Sequence, residues 1–166
     1  YKMKKNIGLA GLMLLLGLST LSALKPRSND RISEAEAVHV TIIYDNYQND
    51  QNLKPDWGFA CLVEYQGSKL LFDAGRDPQL YKENVTRLDI DPGKIPALFI
   101  SHEHGDHTAG VPWIIVTNPT IQCYFPTPYA NQLKSGGALP KNSQVVAKAQ
   151  HLFGPFYSTG DSFETY

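Results

Sequence analysis

Two cysteines in 166 residues are too few for a disulfide-knit mini-domain or a four-cysteine zinc module. An excess of either charge is lacking too: 15 basic side chains stand against 16 acidic ones, a formal net charge of −1. That balance argues against binding nucleic acid by phosphate neutralisation, so no nucleic-acid partner is expected. Charged residues make up only 19% and hydrophobic residues 42%, which excludes a disordered chain. The length suits one domain and is short for two large ones.

The N-terminal segment stands apart. Lys2, Lys4 and Lys5 precede an uncharged apolar stretch over residues 7–18, and Ser19, Thr20, Ser22 and Ala23 follow. This order reads as a signal peptide over residues 1–23. The alternative is an uncleaved N-terminal anchor, because the stretch is close to the roughly 20 residues that a spanning helix needs. The remainder is therefore expected to be exported, periplasmic or secreted, and to touch a membrane only through that segment if it is retained. Export makes a disulfide chemically possible. Cys61 and Cys123 each sit inside an apolar strand-like run, however, and two buried free thiols are expected. Residues 24–37 are polar and read as a linker, and residues 38–166 as the domain. Residues 1–23 carry three lysines and no acid, so their removal leaves a more acidic domain, better suited to a small-molecule substrate than to an anionic polymer.

Residues 38–45 alternate with period 2, placing Val38, Val40, Ile42 and Tyr44 on one face of a strand and His39, Thr41, Ile43 and Asp45 on the other. Residues 59–65 and 69–73 read as two more strands joined by a Gln66-Gly67-Ser68 turn. Asp77-Pro78 starts a helix over about 78–88, with Leu80, Tyr81, Val85 and Leu88 on one stripe. Residues 97–100 are wholly apolar, as in a buried central strand. A helix is expected over 111–116, a strand over 121–125, a loop over 126–143 and a weak strand over 145–149. Strands interspersed with helices predict an α/β fold.

Directly after the 97–100 strand comes Ser101-His102-Glu103-His104-Gly105-Asp106-His107. His102 and His104 can converge on one ion from extended backbone, Gly105 permits a bend, and Asp106 and His107 can turn towards a second. Imidazole and carboxylate donors suit zinc, and also manganese or iron. A zincin site is excluded, because the residue four after His102 is Asp106 and not histidine. Glu103 is read as solvated rather than ligating. His151 is read as a loop or surface residue and His39 as structural.

The HxHxDH pattern resembles that of the metallo-β-lactamase superfamily, and Leu71-Phe72-Asp73-Ala74-Gly75 and Thr108-Ala109-Gly110 resemble its flanking segments. The resemblance implies an αββα sandwich with a two-metal site at the edge of the sheets. His102 and His104 would serve the first of two divalent ions, Asp106 and His107 the second, and Asp73 would support the site without ligating. It also implies hydrolysis, in which metal-activated hydroxide attacks a phosphoester or carbonyl centre of a small molecule and Asp106 orients the nucleophile. Asp45-Asn46, Trp57-Gly58-Phe59 and the stretch 156–161 are similar to the branch that holds dihydropterin and ribofuranosyl-aminobenzene-phosphate synthase-like proteins. The superfamily's later ligands have no counterpart here, so the chain is expected to be the N-terminal half of a longer protein, truncated at its C-terminus. Such a half would expose strand edges and could form a homodimer. A non-catalytic metal-binding or partner-binding module is the alternative reading.

Overall fold

The computed structural model describes residues 37–161. The expected signal peptide, and the linker apart from residue 37, lie outside them. Strand β1 (His39–Tyr44) pairs antiparallel with β2 (Ala60–Tyr65), which turns back into β3 (Ser68–Phe72). Gln66 and Gly67 make that turn with φ of 47° and 75°, the positive pair that matches a two-residue loop to strand twist. From β3 the chain passes through α1 (Pro78–Arg87) to β4 (Ala97–Phe99). It continues through α2 (Gly105–Thr108) and α3 (Val111–Thr117) to β5 (Gln122–Phe125), then through α4 (Thr127–Ser135) to β6 (Ser143–Val145). These crossovers make β3, β4, β5 and β6 parallel neighbours. The six strands form one sheet in the order β1 to β6, while β7 (Lys148–Phe153) and β8 (Phe156–Gly160) form a separate antiparallel pair.

Alternation along the strands sorts the core into two faces. Leu71, Leu98 and Cys123 lie in register on one face, packed with Val85 of α1, Ile114 of α3 and Tyr129 of α4. Leu70, Ala97 and Tyr124 serve the opposite face, where Phe99, Leu152, Phe153 and Phe156 bring in the β7–β8 pair. Each large aliphatic side chain so buried contributes about 1.5–3 kcal/mol. The described residues thus form a mixed α/β fold, with helices on one face of the large sheet and the β7–β8 pair on the other.

Two expectations need correction. Residues 126–143 are not all loop, because α4 occupies Thr127–Ser135. Pro128 sits in the first turn, where its missing N–H costs nothing, and Tyr129 and Ala130 supply a buried face. The alternation expected of β1 also breaks before Tyr44, which does not share the face of Val38, Val40 and Ile42. A register irregularity between Ile42 and Tyr44 puts Ile43 and Tyr44 both in the core, whereas Val38, Val40 and Ile42 are 41–57% exposed. Among the described residues, strand β1 is the outer strand of its sheet. His39 is likewise exposed on that strand. The weak strand expected over 145–149 is divided between β6 and β7.

Asn84 of α1 ties the loop after β1 to the sheet. Its amide donates to the carbonyls of Ile43 and Lys54 and accepts from the Lys54 N–H. Asn84→Ala orphans these groups and should lower stability by about 2–3 kcal/mol, read as a shift of the urea midpoint without a change of slope. Cys61 and Cys123 are buried and free, as expected, and burial pushes each thiol up to about 11. Iodoacetamide at neutral pH should therefore label the native chain slowly and the urea-unfolded chain quickly; equal rates would contradict the structure.

Candidate metal centre

The site starts at the ends of two adjacent parallel strands. Beyond β3, Asp73 donates its N–H to the Phe99 carbonyl (2.9 Å) and enters the left-handed region at φ 58°. An aspartate tolerates that conformation better than most residues. The turn drives its carboxylate inward, where it is 1% exposed. There it accepts three hydrogen bonds: from the Ser101 N–H (2.8 Å) and Ser101 hydroxyl (2.7 Å), and from Nδ1 of His107 (2.8 Å). The Ser101 hydroxyl also meets Nδ1 of His102 at 2.8 Å. One buried carboxylate therefore holds both ends of the HxHxDH segment.

Backbone contacts fix the rest. Ala74 N–H donates to the His107 carbonyl, and Gly110 N–H donates to the Ala74 carbonyl, so Asp73-Ala74-Gly75 interlocks with Thr108-Ala109-Gly110. A Cβ on Gly110 would lie 2.5 Å from the Ala74 carbonyl oxygen. Gly58 has φ 133° and approaches Asp106 so closely that a Cβ would lie 2.3 Å from its carbonyl oxygen. Gly105 behaves differently from expectation. It opens α2 with no positive φ and no atom within 4 Å of a built Cβ, so the bend comes from the extended backbone of His104, at ψ 143°, and not from glycine's freedom.

The structure brings the three imidazoles together, His102 lying 4.7 Å from His104 and 4.1 Å from His107 by ring centroids. Nε2 of His107 is 3.7 Å from the Asp106 carboxylate. Among the described residues no group of three or more His, Cys, Asp or Glu side chains converges as closely as a bound ion requires. The donors nonetheless suit divalent cations: His102 and His107 have Nδ1 engaged behind the site, the arrangement usual for imidazoles that ligate through the other nitrogen. Two clefts flank the cluster. Ser101, His102, Glu103, His104, Pro126, Pro128 and Asp161 line one of roughly 180 Å³; Asp45, Asn46, Trp57, Gly58, Phe59, Asp106 and His107 line the other. Asp161 is fixed there by accepting from the Thr127 N–H at the start of α4. His151 is exposed on β7 with Nε2 at 2.8 Å from the Gly154 carbonyl, away from the cluster. Ser101 has no role legible in the sequence beyond its place beside His102, since its partner Asp73 lies 28 positions back.

The imidazoles are polarised in opposite senses. The hydrogen bond to Asp73 raises the His107 pKa above the ordinary value, outweighing burial. Burial lowers that of His102, and repulsion from His107 adds to this. Below about 6.5 the unfolded chain binds a proton at His102 that the native chain refuses, so stability rises with pH there. Above about 6.5 the native chain retains a proton at His107 that the unfolded chain releases, so stability falls through the raised pKa. With chelator present, these two groups should give a stability maximum near the ordinary imidazole value in urea titrations. Asp73→Asn should flatten the alkaline limb; a limb unchanged by that substitution would refute the assignment.

A family model described as the metallo-beta-lactamase superfamily matches residues 55–156. Ribonuclease Z of Nanoarchaeum equitans is 38% identical over 58 residues, which is 35% of this chain and 17% of that protein. Ribonuclease Z of Chlamydia pneumoniae is 32% identical over 97 residues, 52% of this chain and 30% of that protein. The chain thus spans less than a third of the length of these relatives. Among solved structures, the metallo-beta-lactamase SMB-1 in complex with mercaptoacetic acid superposes with a TM-score of 0.50 at 15% identity, over 74% of this chain and 52% of that one. The chemotaxis sensor ODP, solved with a peroxy diiron species, superposes with a TM-score of 0.50 at 18% identity, over 70% and 49%. Those two likenesses are of fold. With the family match covering β2 to β6 of the sheet and the histidine cluster at its end, the chain belongs to the metallo-β-lactamase superfamily.

Proposed function

We propose that this chain carries the metal-binding half of an exported metal-dependent hydrolase acting on a phosphoester or carbonyl centre of a small molecule. The observation that carries this reading is the histidine cluster braced from behind by buried Asp73. His102 and His104 would hold one divalent ion and Asp106 and His107 a second, zinc by preference, manganese or iron otherwise. Ions at such a site supply Lewis acidity, lowering the pKa of water towards neutrality and offsetting the negative charge that develops at the reacting centre. Asp106 is the catalytic residue of the proposal, its carboxylate orienting the attacking water. Asp73 keeps the His107 ring turned, and Trp57, 63% exposed beside Asp106, offers a substrate an aromatic surface. The placing of Asp45-Asn46 and Trp57-Gly58-Phe59 along that cleft supports the narrower likeness to the dihydropterin and ribofuranosyl-aminobenzene-phosphate synthase-like branch. Export rests on the order of charge, apolar run and small residues over 1–23.

The ribonuclease relatives raise RNA as a competing substrate. Among the described residues, no lysine or arginine lines either cleft, and the first carries Glu103 and Asp161, which favours a small substrate over a polyanion. A metal-binding or partner-binding module without turnover is favoured by one observation, the absence of a converged three-donor group among the described residues.

Elemental analysis after zinc loading and desalting should give close to two equivalents in the wild-type chain. A variant carrying both His102→Ala and His104→Ala should bind zinc at least about 100-fold more weakly and lose hydrolysis of a nitrophenyl phosphodiester or a lactone. A wild-type chain that retains none of zinc, manganese and iron would end the metal reading. Weak or no turnover is expected of this chain alone, so zinc retained without turnover of either compound by a longer gene product as well would favour the binding module, and faster cleavage of an oligoribonucleotide would move the substrate to RNA.

A further inference from the structure

We infer that Ser101 is a positioning residue that passes the polarity of Asp73 on to His102, so that one buried carboxylate presents the same nitrogen, Nε2, of two different imidazoles. The Asp73 carboxylate accepts from three directions, and its contact with the Ser101 hydroxyl is 2.7 Å. A serine hydroxyl has one hydrogen, and the carboxylate takes it. The 2.8 Å contact between that hydroxyl and Nδ1 of His102 must then run the other way, with Nδ1–H donating to the serine oxygen. His102 is therefore the Nδ1–H tautomer, with its lone pair on Nε2. His107 donates its own Nδ1–H directly to Asp73 and has its lone pair on Nε2 as well.

The backbone makes this relay rigid. The Ser101 N–H is itself held by the other oxygen of Asp73 at 2.8 Å, so the serine is gripped at two points and its rotamer is set. His102 follows immediately and rests at 4.1 Å against the His107 ring, whose Nδ1 is held by the same carboxylate. His104 has no such partner among the described residues and stands at the exposed start of α2. The relay therefore orders two of the three imidazoles before any ion arrives, which reduces the reorganisation that binding requires.

The inference rests on the proposed metal reading only for its second measurement. The first is a long-range proton–nitrogen correlation spectrum of the 15N-labelled full chain with chelator, at a pH above the imidazole range, which assigns each histidine tautomer. The wild-type chain should show Nδ1–H at both His102 and His107. Ser101→Ala should move His102 towards the Nε2–H form and leave His107 unchanged, while Ser101→Thr, which keeps the hydroxyl, should restore the wild-type pattern. Competition with a chelator should show zinc bound about 10–100-fold more weakly by Ser101→Ala and within a few-fold of wild type by Ser101→Thr. Nε2–H at His102 in the wild-type chain overturns the relay without any variant, as does a Ser101→Ala chain with unaltered His102 tautomer. If Ser101→Ala fails to fold, Ser101→Cys carries the comparison, its weaker hydrogen bonding being expected to leave His102 in mixed tautomers; a pure Nδ1–H form there counts against the relay. A wild-type chain with the Nδ1–H tautomer and no zinc binding would support the relay while ending the metal reading.

Discussion

The carboxylate of Asp73, buried and encircled by three donors, is the interaction on which the site depends. An unpaired carboxylate at that depth would cost several kcal/mol and would protonate or force its way to solvent. Here each hydrogen bond that holds the charge also positions something else: the chain leaving β4, the hydroxyl of Ser101 and the ring of His107. Stability and site geometry are thus one network. The left-handed backbone at Asp73, a cost of order 1 kcal/mol, persists because that network over-determines it.

Topology explains why the network lies where it does. Strands β3 and β4 are parallel neighbours, so their C-terminal ends open at the same edge of the sheet and deliver Asp73 and the 101–107 segment side by side. Ligand sites in open parallel sheets gather at that edge for the same reason. The glycines at 58 and 110 then bring backbone against backbone, closing the loops around the cluster with carbonyl contacts that no Cβ could share. An all-antiparallel arrangement would have carried the two segments to opposite ends of the sheet.

The surroundings of the cluster bear on what it could accept. Acidic and aromatic side chains border the two clefts, and among the described residues no lysine or arginine lines them. Divalent ions would supply the missing positive charge, which would make the site selective for whatever coordinates metal over whatever only seeks a basic surface. The opposite polarisation of His102 and His107 fits that division: burial disfavours charge on one ring, and a carboxylate braces the other.

Much of this was legible in the residues themselves. The hairpin at Gln66-Gly67, the Asp77-capped helix, the buried run at 97–100 and the histidine cluster follow from local rules: turn chemistry, capping, apolar continuity and ligand density. Those rules operate within a few residues, and the chain obeys them. Helix α4 has no local signature because Pro, Gly, Ser and Asn dominate its neighbourhood, while its stabilisation comes from burying Tyr129 and Ala130 against a sheet that no local pattern displays. The irregularity in β1 parted Tyr44 from the face of Val38, Val40 and Ile42, since period 2 holds only while the ladder is regular. What the sequence alone determined is the metal-seeking chemistry and the α/β order of elements. Only the tertiary structure decided that Ser101 bonds to a carboxylate 28 positions away and that Asp161 and Trp57 border the site, because distance in space is set by strand adjacency and packing, which no run of neighbouring residues encodes.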